Sequence, residues 1–247
     1  MKKLLVLIMA LVMTLGCLAA CGGSNDSATN DEATKDEAIA GPDTEKSEGV
    51  MTYAEYAAAA LDSRVVIEAY VQGKQSWWDN KGTFYTQDAD GAYFLYEMPC
   101  TEEEYNQLTV GTKIKVTGYK TEWSGEVEII DSTFEILEGN WVAEATDVTA
   151  LLGKDELINK QNMLVSFDDM TVVSIAYKNE EVGNDIYVTV SKDGANYDFC
   201  VEAYLTSAET EVYKAVEALK AGDIVDIEGF LYWYNGVNTH ITAVKAN

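Results

Sequence analysis

His240 is the only histidine among the 247 residues. A Ser-His-Asp or Cys-His nucleophilic arrangement would have to use it. It lies in a terminal stretch that reads as a strand, and no Gly-x-Ser-x-Gly elbow accompanies it. The expectation for His240 is therefore a structural or surface role. Cys100 and Cys200 could form one disulfide or fill space as small buried hydrophobes. With a single histidine they offer too few ligands for zinc. Carboxylates are abundant, 42 Asp+Glu against 17 Lys+Arg, so counting does not remove a hydrolytic carboxylate pair, yet no acidic pair stands out. Asp88-Ala89-Asp90-Gly91 starts like a calcium loop but places its glycine two positions too early, so a hairpin turn is expected there. No metal, no cofactor and no catalysis are expected.

Aromatic residues beside turn signals are the stronger sign of function. Trp77 and Trp78 precede Asp79-Asn80. Trp123 precedes Ser124-Gly125. Tyr232, Trp233 and Tyr234 precede Asn235-Gly236. Flat rings at such tips can stack on sugar rings or on bases. They can also pair across hairpins or pack one part of the chain on another. These six aromatics are the candidate ligand-binding residues.

The elements that would position them come as a repeat. Val110–Gly125 overlays Ala221–Gly236, with Gly111 on Gly222, Ile114 on Val225, Val116 on Ile227, Gly118 on Gly229 and Gly125 on Gly236. Upstream, Phe94–Thr101 overlays Phe199–Thr206, and Asp90-Gly91 overlays Asp193-Gly194. After the final glycine the two copies run one residue out of step, as if one turn were a residue shorter. In each copy a long strand is followed by a hairpin, a helix and two more strands. Thr101/Glu104 and Thr206/Glu209 are capping boxes that would open the two helices. The second helix is expected to be longer, with Val212, Ala215, Val216 and Leu219 on one face. A third capping box, Thr52/Glu55, would open a short leading helix.

Five strands with a helix between the third and fourth is the order of the OB-fold. A glycine within strand four (Gly118, Gly229) suits the bend of a small barrel. The fold expected is thus mainly β, two tandem five-stranded OB-fold-like barrels over 51–140 and 141–247. The stretches GTFYTQDADGAYFLY and LTVGTKIKVTGYKTEWSGEVEI resemble OB-fold modules of exported bacterial proteins, including modules appended to secreted nucleases. The whole chain is similar to uncharacterised lipoproteins of Gram-positive bacteria. No nuclease catalytic domain accompanies the modules, so that activity is not implied.

The first residues, MKKLLVLIMALVMTLGCLAACGG, carry two lysines and then an apolar run too short for a confident membrane span. Leu18-Ala19-Ala20-Cys21 resembles the lipobox of bacterial lipoproteins. That resemblance implies cleavage after residue 20, a lipid on Cys21, and a protein exported and anchored to the outer face of the bacterial cell membrane. Residues 21–50 hold no aromatic and few aliphatics, which predicts a disordered acidic tether. The net charge of −25 sets a field that repels a phosphate backbone. The expected function is then a membrane-anchored, non-catalytic surface lipoprotein binding a glycan, peptide or partner protein through its OB-fold loops, with nucleic acid disfavoured as a partner. The alternatives are a single-stranded nucleic-acid-binding protein and, third, a carboxylate-dependent hydrolase.

Overall fold

The computed structural model describes residues 41–247. The expectations for the signal segment, for Cys21 and for the tether up to residue 40 lie outside the described residues. Residues 41–50, the end of the expected tether, are held against the first barrel. The Asp43 amide donates to the Tyr70 hydroxyl at 3.1 Å, and Lys113 donates to the Asp43 carboxylate at 2.8 Å. Lys46 donates to Asp88 at 2.6 Å and to the Glu68 carbonyl at 2.9 Å. Polar contacts, three of them to buried residues, fix a segment whose composition offers almost no apolar surface.

The Thr52/Glu55 capping box forms and opens helix α1, Tyr53–Ala58. Strands β1 (Arg64–Lys74), β2 (Lys81–Gln87) and β3 (Ala92–Pro99) follow, then α2 (Glu102–Gln107), β4 (Thr112–Trp123) and β5 (Glu126–Asn140). The Thr101/Glu104 capping box forms as well. These five strands close a barrel in the order β1-β2-β3-β5-β4. Closure between β3 and β5 is parallel and rests on two residue pairs, Phe94↔Glu128 and Leu95↔Ile129. Alternate residues of β1 and β4, including Val65, Ile67, Ala69, Ile114 and Val116, fill the interior with Phe84, Leu95 and Ile129. This is the period-two pattern of strands with one buried face.

The second half contains β6 (Thr146–Asp147), β7 (Leu164–Tyr177), β8 (Ile186–Lys192), β9 (Ala195–Val201), α3 (Glu211–Glu217), β10 (Ile224–Phe230) and β11 (His240–Ala246). They form a six-stranded sheet in the order β10-β11-β9-β8-β7-β6, and β10 also pairs with β7. Its own core gathers Val165, Phe167, Val188, Phe199, Val225 and Ile227.

The strand-four glycines do what the repeat predicts. Register shifts fall at Thr117/Tyr119 and at Glu228/Gly229. A Cβ on Gly229 would sit 2.3 Å from the His240 carbonyl oxygen, and one on Gly118 would sit 2.8 Å from the Ile130 carbonyl oxygen. Neither neighbour can retreat, so only glycine lets the two backbones approach at the bend.

Two local expectations need correction. Helix α3 starts after Thr210, whose side chain accepts from the Tyr213 amide, and it spans seven residues. Thr206 lies a turn too early because Glu202 captures that stretch. The Glu202 carbonyl accepts from the Leu205 and Thr206 amides, and its carboxylate accepts from Tyr204 and Leu205. The overlay of Phe94 on Phe199 is also one residue out in facing. Phe199 lies in the second core while Phe94 points out of the first barrel. A one-residue slip exchanges the two faces of a strand.

Candidate functional site

The loop with the tandem tryptophans is a tight turn. Asp79 and Asn80 both have left-handed backbone, φ 49° and 59°. Trp78 and Lys81 exchange backbone hydrogen bonds of 3.1 and 3.0 Å. Two successive positive φ values are the signature of a type I′ hairpin turn, which suits the twist of the flanking strands. The turn sets Trp78 beside Lys81.

Across from it, β3 carries one extra residue. Phe84 pairs with Leu95 and Gly82 with Met98, so two steps on β2 oppose three on β3. The extra residue is accommodated with Glu97 at φ 46° and its amide donating to the Thr83 hydroxyl at 3.1 Å. Leu95 and Met98 stay in the core, and both Tyr96 and Glu97 face outward. A bulge that re-aims side chains beside a site is a recurring device of small barrels. Tyr204, from the turn after β9, completes the wall, its carbonyl accepting from the Ser76 amide at 2.8 Å.

The result is a cleft of about 480 Å³ lined by Trp77, Trp78, Lys81, Tyr96, Glu97 and Tyr204 among others. Trp78 is 73% exposed, Tyr204 66% and Tyr96 41%. Trp77 is a fixed wall, with its Nε1 donating to the Cys100 carbonyl at 3.0 Å and its ring against the first core. Lys81 and Glu97 form an ion pair of 2.7 Å within the cleft. That contact raises the lysine pKa and lowers the carboxyl pKa.

The other four candidates lie on or beside two turns that meet each other instead. Ser124 and Gly125, φ 54° and 93°, turn the chain between Trp123 and Glu126. The Asn235 amide donates to the Ser124 carbonyl at 2.7 Å, and the Trp233 amide donates to Glu126 at 2.8 Å. Trp233 packs so close to Gly125 that a Cβ there would lie 2.7 Å from its ring. Tyr232 stacks on His240 with centroids 4.3 Å apart. The Trp123 and Tyr234 rings sit 5.2 Å apart on the outer rim, about half exposed. The two aromatic turns thus join the halves of the chain. The second closes a three-residue loop, Trp233↔Val237, against two residues in the first, which is why the copies fall out of step.

This junction covers part of the β2–β3 face. Tyr85 stacks on Phe230 at 4.2 Å and 4°, and Phe94 completes a small apolar cluster. The Tyr85 hydroxyl lies 2.7 Å from His240 Nδ1, and burial lowers the His240 pKa to about 3. His240 is therefore a buried neutral residue at a packing seam. Glu126 is fully buried there too. One carboxylate oxygen accepts from Trp233 and Gln161, while the other has no partner. Burial raises the Glu126 pKa to about 8 and that of Glu128 to about 7. Both are acidic groups at the seam, and neither lines the cleft.

The remaining chemistry is structural. Cys100 and Cys200 are free and buried, and burial raises both thiol pKa values. Asp88 accepts from the Asp90 and Gly91 amides and from the Tyr93 hydroxyl, which makes it a turn anchor. Among the described residues no group of three or more His, Cys, Asp or Glu could hold a metal ion.

Strand order 1-2-3-5-4, closed, with a helix between strands three and four, decides the coarse fold of the first half. The closed barrel is OB-fold-like. No protein-family model and no curated protein sequence matches the chain. Among solved structures it is similar to a murine DNA-binding protein bound with double-stranded DNA, at TM-score 0.36 and 10% identity, over 73% of this chain and 94% of that one. It is also similar to the Ifi202 HINa domain in complex with 20-bp double-stranded DNA, at TM-score 0.33 and 12% identity, over 75% and 99%. A third is a replication protein A heterotrimer bound to single-stranded DNA, at TM-score 0.32 and 10% identity, over 74% and 49%. At these identities the likeness concerns the fold alone.

Two expectations are corrected at this point. The binding of a glycan, peptide or partner protein, and the disfavouring of nucleic acid as a partner, find no support among these structures. The similar structures named above hold DNA. The physical flaw in the expectation was to weigh net charge, a sum over the whole chain, against stacking. Stacking is local and depends on accessible ring faces rather than on total charge.

Proposed function

We propose that this chain binds single-stranded nucleic acid, without catalysis, through the cleft between Trp78, Tyr96 and Tyr204. The observation that carries the reading is the exposure of three aromatic side chains around one cleft at the β1–β2 turn and the β2–β3 face. Apolar ring faces held open to water add nothing to folding, whereas a stacked base gains about 1–3 kcal/mol on such a ring. The acidic surface keeps phosphate contacts few. Each phosphate neutralised on a single strand adds about −0.7 to the slope of log affinity on log salt, so a shallow salt dependence is expected.

The pairing of β10 with both β11 and β7 supports reading the second half as a second OB-fold-like barrel in tandem with the first, with domains over 51–140 and 141–247. Followed through that pairing, the order β7-β8-β9-β11-β10 repeats the strand order of the first barrel, and β11 meets β9 in parallel at His240↔Cys200. For localisation, the N-terminal sequence supports an exported bacterial protein with lipid on Cys21, anchored to the outer face of the cell membrane. Labelling with an alkyne fatty acid, lost in Cys21→Ala, tests that part.

The binding test is quenching of tryptophan fluorescence in the full chain by a short oligothymidylate at low salt. Saturable quenching is expected, and Trp78→Ala should weaken it about fivefold to a hundredfold, the worth of one stacking contact. Absence of quenching would refute the proposal.

A further inference from the structure

Lys81 is the cation of the cleft and Glu97 its anion, and in the free protein they neutralise each other at 2.7 Å. Both side chains are about 40% exposed, 40% and 41%, so the pair sits at the mouth and not in the core. Glu97 reaches this position only because the β3 bulge turns the extra residue outward with left-handed backbone. A non-glycine residue held in that region carries a conformational cost that the surrounding structure must sustain. The Lys81 backbone is pinned to Trp78 by the turn, so its ammonium stays within the reach of a ligand stacked on the Trp78 ring.

We infer that Lys81 is the phosphate-reading residue of the cleft and that Glu97 stands in for the phosphate until a nucleotide displaces it. This rests on the reading of the cleft as a nucleobase-stacking site. A phosphate oxygen offers the ammonium the same charge-assisted hydrogen bond that the carboxylate does. The exchange is therefore close to even in contact energy, and Glu97 then faces the incoming anion across the mouth as a like charge. The consequence is selectivity. Base stacking sets whether a ligand binds, and the Lys81–Glu97 exchange holds down the extra gain from its phosphate, so that a polyanion without a stacking base gains little.

The test compares thymidine with thymidine 5′-monophosphate in the full chain by tryptophan quenching. Glu97→Gln frees Lys81 and should tighten the monophosphate about two- to fivefold, the worth of an exposed ion pair, while leaving thymidine unchanged. Lys81→Met should bring the monophosphate to the affinity of thymidine or below. Glu228→Gln, which removes an exposed charge on β10, should leave the ratio of the two ligands unaltered. Equal tightening of both ligands in Glu97→Gln, or the same gain in Glu228→Gln, would overturn the exchange while the stacking site stands. Failure of both thymidine and oligothymidylate to quench would remove the site itself, and the exchange with it.

Discussion

The protein should lose stability between pH 7 and pH 8, and Glu126→Gln should remove most of that loss. Glu126 is fully buried where the two halves meet, with one carboxylate oxygen unpartnered. Burial raises its pKa from 4.5 to about 8. Between these values the folded protein keeps a proton that the unfolded chain has released, so stability falls as pH rises through the window. His240 acts in the opposite sense. Its pKa is lowered from 6.5 to about 3, so its contribution is complete above pH 6.5 and is lost as pH falls towards 3. The two slopes oppose one another below pH 6.5. Glu128, raised to about 7, is half ionised at pH 7 and adds a smaller slope that fades towards pH 8. Above pH 7 the Glu126 slope dominates. One proton over one pH unit is worth about 1.36 kcal/mol, and partial ionisation near pH 8 reduces this to about 1 kcal/mol. With a urea m-value of about 2 kcal/mol/M, the unfolding midpoint should drop by about half a molar from pH 7 to pH 8. In Glu126→Gln the amide still accepts from the Trp233 backbone, and the drop should shrink to about 0.2 M or less, the part left by Glu128. An equal drop in the variant would refute the assignment of the slope to Glu126.

Other consequences follow from the same contacts. Tyr85→Phe removes the hydroxyl 2.7 Å from His240 Nδ1 and leaves a buried ring nitrogen alone, so urea unfolding should show a loss of about 1–3 kcal/mol. Gly229→Ala places a methyl 2.3 Å from a backbone oxygen and should cost more than about 3 kcal/mol. Gly194→Ala, with left-handed φ of 84° but open space around it, should cost about 1 kcal/mol, and calorimetry on the pair separates crowding from backbone strain. Lys120 donates to the carbonyls of Tyr56, Ala57 and Ala59 at the end of α1. Lys120→Met should release that helix, seen as faster amide exchange over residues 53–60 with the barrel protected.

Much of the architecture was legible in the residues. The internal repeat, the strand-four glycines and the capping boxes at Thr52 and Thr101 led to the right elements because each reflects a local rule: a bend with no room for Cβ, a helix start needing an acceptor. The second helix start was misread because Thr206/Glu209 has the pattern while Glu202 already holds that turn. The site was half legible. Trp78 was visible as an aromatic beside turn residues. Tyr96 and Tyr204 were missed because a tyrosine in or just after a strand reads as core. The signal for Tyr96 was present: Leu95 and Met98 are both apolar core residues three apart, which in a strand requires one extra residue and turns two side chains outward. Glu126 and Glu128 were illegible because carboxylates alternating along a strand read as solvated. Only the second half, packed over the end of the first, puts Glu126 in a dry place. The same packing explains why Tyr232 and Trp233 serve the seam and not a ligand cleft, since the turns that carry them hydrogen-bond to the opposite turn.

The five indole N–H signals of Trp77, Trp78, Trp123, Trp141 and Trp233 offer the most direct measurement of where a ligand sits. In a ¹H–¹⁵N spectrum titrated with short oligothymidylate, the account predicts saturable shifts of the Trp78 and Trp77 signals, with those of Trp141 and Trp233 unmoved. Shifts confined to Trp123 and Trp233, or no shift at any ratio, would contradict it.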